Sequence, residues 1–177
     1  METVEVTKLG TMKVNGDVVV TDPCYLSSGH SSDDLVALPQ GTYEAYIEKV
    51  DTNGWGVRVA KFYVIKEGEK VYNETPIRNR FVDSGQMMIV DKAALSGWVA
   101  DEFTGAENTP KIFGYSGACV ITCAAERAGV FDNGLGAVSR TGYGDGNYPL
   151  SLLLNSAKEP IGVGIEFISE DDDEDDE

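Results

Sequence analysis

Turn-forming sequences cut this chain into short β-prone runs, and that punctuation limits what it can fold into more than any other feature does. The clearest case is Met12-Lys13-Val14-Asn15-Gly16-Asp17-Val18-Val19-Val20. There Asn-Gly, between two β-prone runs, supplies the positive φ angles of a two-residue hairpin, so the flanking runs are predicted to pair. Residues 42–50 and 55–65 resume an alternating pattern around Asp51-Thr52-Asn53-Gly54, which predicts a second antiparallel pair. Further strands are expected over 80–90, 115–123, 135–141, 148–154 and 161–168, with glycine-rich separators. The fold class is therefore all-β: an antiparallel meander, sandwich or partly closed barrel, with one helix packed on a sheet.

Helical signals are few. Ser31-Ser32-Asp33-Asp34 resembles a helix start that Pro39-Gln40-Gly41 stops within a turn or two. After Asp91, placed as a cap, Leu95, Trp98, Val99 and Phe103 recur at helical spacing, which predicts the one substantial helix. Pro23 ends the strand before it and holds Asp22 extended.

One domain over 1–168 is expected, followed by a disordered acidic tail over 169–177. Residues 170–177 are eight acids without a base, half of the net charge of −16. Such a run repels itself and has nothing apolar to bury. The acidity disfavours direct nucleic-acid binding, which needs clustered Lys and Arg, and suits a basic protein partner. The sequence has no apolar stretch long enough for a membrane-spanning helix and no signal-peptide pattern at its start, so a cytoplasmic location is expected. The cysteines are Cys24, Cys119 and Cys123. If 115–123 is a strand, the last two lie about 13 Å apart on one face and cannot bridge. With a single distant histidine, His30, they make a poor zinc set and read as small buried hydrophobes.

Three segments place a carboxylate beside Gly, Pro or Ser, where a turned backbone lets side chains converge: Asp22-Pro23-Cys24-Tyr25, Asp83-Ser84-Gly85-Gln86 with Asp91 beyond it, and Gly142-Tyr143-Gly144-Asp145-Gly146-Asn147-Tyr148. Their order, closed by a Gly-x-x-x-x-Phe strand, resembles a bacterial and phage family catalogued only as a domain of unknown function. That resemblance implies no activity; it marks these positions for testing. The ligand-binding candidates are Asp22, Tyr25, Asp83, Ser84, Gln86, Asp145 and Tyr148. Carboxylates of Asp22, Asp83 and Asp145 meeting in one cleft would suit Ca²⁺ or Mg²⁺, or would divide into acid and base for hydrolysis. Each also has a plainer explanation: an Asx-Pro turn for Asp22, a self-bonded turn for Asp145 and a helix cap for Asp91. Asp83, an acid inside an apolar strand, is the one that lacks such an explanation. The glycines of 142–146 fit neither a dinucleotide fingerprint nor a P-loop, and the segment lacks the acids of an EF-hand. No motif ties His30 to a serine or cysteine nucleophile. The leading expectation is a non-enzymatic binding or interaction protein with a small polar pocket shaped by the Asp and Gly loops. A divalent-metal-assisted hydrolase and a structural component of a virion or other assembly are the alternatives.

Overall fold

The computed structural model describes residues 3–103, 105 and 112–169. Of the tail over 169–177 that is expected to be disordered, residues 170–177 lie outside them. Among the described residues, eleven strands form two antiparallel sheets. The first is six-stranded, in the order β1 (Thr3–Val14), β4 (Gly41–Asp51), β5 (Val57–Lys66), β11 (Pro160–Glu166), β10 (Gly146–Leu154), β6 (Asn73–Val82). The second is five-stranded, in the order β3 (Leu35–Ala37), β2 (Asp17–Thr21), β7 (Gln86–Asp91), β9 (Gly136–Arg140), β8 (Ala128–Val130). One α-helix, α1 (Tyr115–Cys123), and short 3₁₀ turns complete it. The result is the expected β-rich sandwich with one helix on a sheet. No helix among the described residues is long and apolar enough to cross a membrane.

The two sheets bury their strands differently, and the sequence pattern follows. In the six-stranded sheet, β4 alternates: Tyr43, Ala45 and Ile47 are buried against the opposite sheet, with less buried residues between them. The five-stranded sheet is covered on both faces, so β7 is buried along its whole length. Val18, Val20, Met87, Ile89 and Ala137 face the core between the sheets. Val19, Met88, Val90 and Val138 face a second core under α1, with Phe113 and Phe131. Continuous apolar runs such as Met87-Met88-Ile89-Val90 are the mark of a strand covered on both sides. Each such side chain contributes about 1.5–3 kcal/mol on burial. Trp98, Phe113 and Phe131 close the second core edge to face, with centroids 5.1–5.8 Å apart.

Several sequence expectations change. Asn15-Gly16 does not close a hairpin: β1 pairs with β4, and β2 pairs with β3 and β7, in the other sheet. The dipeptide is a corner between sheets, and Gly16 has φ 144°, far from a type I′ turn. Asp91 anchors it, accepting from Asn15 N–H (3.2 Å) and Asn15 Nδ2 (2.7 Å). Asp91 is thus 1 % exposed and is not a side-chain cap.

The helix expected after Asp91 is only a 3₁₀ turn, Lys92–Gly97. Leu95 and Trp98 do pack on the second core, but Val99 is captured by 113–115, through Val99 N–H to Phe113 O and Tyr115 N–H to Val99 O. The helix lies instead at 115–123, which reads as a strand because a short apolar run rich in Val, Ile, Thr and Tyr carries no decisive period. Small residues decide it: a Cβ on Gly117 would lie 1.9 Å from Ile112 O, so only glycine lets the helix approach so closely. Cys119 and Cys123 are accordingly one helical turn apart, not 13 Å along a strand. Cys119 is buried, Cys24 half-buried and Cys123 exposed, so the reading of all three as buried hydrophobes holds only for Cys119. Finally, 80–90 is not one strand: β6 ends at Val82 and β7 begins at Gln86, with a turn over 83–85 crossing between the sheets.

Candidate functional site

The three motifs gather at one end of the sandwich, at the end of β2, the turn between β6 and β7, and the loop from β9 to β10. The first connection holds the second. Asp22, 0 % exposed, follows β2, and Pro23 opens a 3₁₀ turn behind it. Its Oδ1 accepts from Cys24 N–H (2.9 Å) and Ser84 Oγ–H (2.5 Å), and its Oδ2 from Asp83 N–H (2.8 Å) and Ser84 N–H (2.7 Å). Asp145 takes the next amide, Gly85 N–H, at 2.8 Å. Three consecutive backbone N–H groups are therefore bound by two carboxylates from distant parts of the chain. Four donors offset the desolvation of a fully buried carboxylate at Asp22.

Asp83 itself is exposed in this turn and accepts from Tyr25 Oη–H, which raises the Tyr25 phenol pKa. Exposure and a partner together account for the acid that the sequence leaves unexplained, once the strand around it is replaced by a turn. Gln86 is buried, accepts from Thr122 Oγ1–H (3.1 Å) and donates to Cys119 Sγ (3.5 Å), which ties β7 to α1. Tyr148 donates to Gly144 O (2.7 Å), as does Thr141 Oγ1 (2.7 Å), and the two lock the glycine loop. Burial and the neighbouring Asp22 push the Cys24 thiol up to about 12. Asp91 lies at the far end of the sandwich, against Asn15.

Asp22 and Asp145 thus converge, but onto neighbouring amides, while the Asp83 carboxylate takes the Tyr25 hydroxyl. Among the described residues no group of three or more His, Cys, Asp or Glu side chains is arranged to hold a metal ion. Asp22 has committed both oxygens to N–H and O–H donors, so it has no lone pair directed at a common centre with Asp83 and Asp145.

These loops contribute to a cleft of about 460 Å³, lined by Gly85, Thr141, Gly142, Tyr143 and Gly144 together with Thr122, Cys123 and three arginines, Arg58, Arg127 and Arg140. The chain has five arginines. The other two are structural: Arg78 and Arg80, on β6, reach the opposite sheet, donating to the carbonyls of Val20, Asp33 and Leu35, and Arg80 also pairs with Asp34. The three in the cleft have no carboxylate partner among the described residues. Arg58 Nε donates to Trp55 O (3.0 Å), and Arg140 Nε to Thr122 O (3.1 Å). Arg140 Nη2 lies 3.6 Å from Cys123 Sγ. Arg127 has φ 61°, a left-handed conformation that a non-glycine residue holds only when its surroundings impose it.

Sequence reasoning pointed at the acids of these motifs and passed over the arginines, which lie 69 and 13 positions apart along the chain and share no motif. The available signal was composition: five arginines in so acidic a chain are few enough to question individually. Comparison with protein-family models, with curated proteins and with solved structures finds no match, so the resemblance noted above rests on the motifs alone.

Proposed function

We propose that this protein binds a small anionic ligand, one carrying phosphate or carboxylate groups, in the cleft lined by the glycine loops and by Arg58, Arg127 and Arg140. The observation that carries this reading is the set of three arginines lining one cleft without carboxylate partners among the described residues, in a chain of net charge −16. Guanidinium groups present planar pairs of N–H donors that match phosphate and carboxylate oxygens. Gly142 holds its place in the lining by close packing: it has φ 66°, and a Cβ there would meet Ile168 at 3.0 Å and Phe167 at 3.1 Å. A volume of about 460 Å³ suits a metabolite-sized ligand.

The reading is one of binding, not catalysis. Among the described residues, the cleft lining includes no carboxylate or imidazole to act as a general base. On this reading the glycine loops help to line the pocket and its recognition groups are cations. A scan of melting temperature in millimolar pyrophosphate and citrate, against NaCl of matched ionic strength, tests this. Stabilisation by linkage is expected, and Arg127→Gln should reduce it. No anion-specific stabilisation of the wild-type chain would count against the reading.

A further inference from the structure

Among the described residues, Tyr143 is the only aromatic side chain lining the arginine cleft. It is 51 % exposed and belongs to neither hydrophobic core. Its loop is nevertheless tied on both sides. Gly142 and Gly144 flank it with φ 66° and 115°, and Gly144 N–H donates to Thr141 O at 3.1 Å. Gly144 O accepts from Thr141 Oγ1–H and Tyr148 Oη–H, each at 2.7 Å, and Asp145 takes Gly85 N–H at 2.8 Å. A ring held out in solvent on a loop tied in this way is a preformed contact surface. It offers a flat apolar face and forfeits little conformational freedom on binding. Trp55 is also exposed, but it holds Arg58 through its carbonyl and does not line the cleft.

The ring stands close to the cations. Arg140 precedes Tyr143 by three residues, so their Cα atoms are at most about 11 Å apart. The Arg140 guanidinium lies 3.6 Å from Cys123 Sγ, and its Nη1 would be 3.5 Å from a Cβ on Gly85. A molecule that joins a phosphate to a flat ring through a sugar can engage the guanidinium groups and Tyr143 at once. We infer that the ligand is a nucleotide, its phosphate held by Arg58, Arg127 and Arg140 and its base stacked on Tyr143. This rests on the anion-binding reading of the cleft and adds to it the class of anion.

The same lining sets what such a site distinguishes. Thr122 donates its hydroxyl hydrogen to Gln86 Oε1 (3.1 Å) or Ala118 O (3.0 Å), and Thr141 donates its own to Gly144 O. Among the described residues no amide or carboxylate side chain lines the cleft to read the edge of a base. Recognition through the ring face accepts any base and favours purine over pyrimidine by ring area.

Isothermal titration calorimetry of the full chain with adenosine monophosphate and with ribose 5-phosphate tests this, because the two share phosphate and sugar and differ by the base. Adenosine monophosphate should bind about tenfold more tightly, within the range that stacking of one base supplies. Tyr143→Ser should abolish that preference, adenosine monophosphate falling to the affinity of ribose 5-phosphate. Tyr143→Phe keeps the ring and should keep the preference. Arg127→Gln should weaken both ligands. Equal affinities in the wild-type chain would overturn the inference and leave the anion-binding reading standing. A Tyr143→Ser chain that retains the preference would overturn it too, since the base would then lie elsewhere. Binding of neither ligand would sink both readings.

Discussion

Asp22 offers the sharpest test of how this end of the sandwich is held. Its carboxylate accepts four hydrogen bonds while fully buried. In Asp22→Asn the side chain keeps its shape but loses its charge and one acceptor. Turning the new Nδ2 toward Asp83 and Ser84 would confront two N–H donors. The cheaper arrangement places Nδ2 at the Oδ1 position, where the Ser84 hydroxyl can rotate to accept from it and only Cys24 N–H is orphaned. That orphan costs about 1–3 kcal/mol, and the remaining bonds fall from charge-assisted to neutral strength, about 1 kcal/mol each, partly offset by relief of carboxylate desolvation. The net expectation is a loss of about 3 kcal/mol, or roughly 6–12 °C in Tm for a chain of this length. Asp22→Ala, which orphans all four donors, should cost more, about 5 kcal/mol. Ser84→Ala removes one bond of the four and should cost about 1 kcal/mol. Urea unfolding followed by tryptophan fluorescence suits the measurement, since Trp98 and Cys24 line the same hollow, and the m-value should not change. An Asp22→Asn chain as stable as the wild type, or more stable, would mean that burying the charge costs as much as its four bonds return, and the clasp would not be what holds the turn.

Two further outcomes follow from the same geometry. Asp101 accepts from Ser116 N–H (2.9 Å) and Ser116 Oγ–H (2.5 Å) in the first turn of α1, and these bonds lower its pKa from the ordinary 3.8. A depressed carboxyl pKa stabilises the fold above the unfolded value and loses that contribution as pH falls through the folded one. Asp101→Asn should therefore destabilise by about 1 kcal/mol at neutral pH, with the gap closing below pH 3.8 in a pH series of urea unfolding curves; a gap independent of pH would refute this. Gly117→Ala, which in an open helix gains about 1 kcal/mol, should here cost at least about 2 kcal/mol, because the methyl group meets Ile112 O; thermal melts showing stabilisation would contradict the packing.

The particular elements show how far a sequence of this kind can be read. The pair β4 and β5 was legible because alternation, a turn sequence and adjacency along the chain agree. Asn15-Gly16 misled because a dipeptide reports only that the chain turns. Whether the turn joins paired strands or crosses between sheets depends on Asp91, which arrives 76 residues later. The segment 115–123 was ambiguous in itself, and its helix depends on how closely Gly117 can approach Ile112. Asp83 stood out only because the turn over 83–85 is imposed by Asp22 and Asp145, neither of which is near it in sequence.

From its sequence alone this chain was bound to be β-rich, with its acidity divided between a body and the run 170–177, because strand length, alternation, glycine placement and charge are local properties. Which strands share a sheet, which acids are clasps and which arginines face a common cleft were decided only by the tertiary structure. The physical reason is that a carboxylate's role depends on the donors placed around it and an arginine's on whether an acid is in reach. Here both kinds of neighbour come from segments tens of residues away.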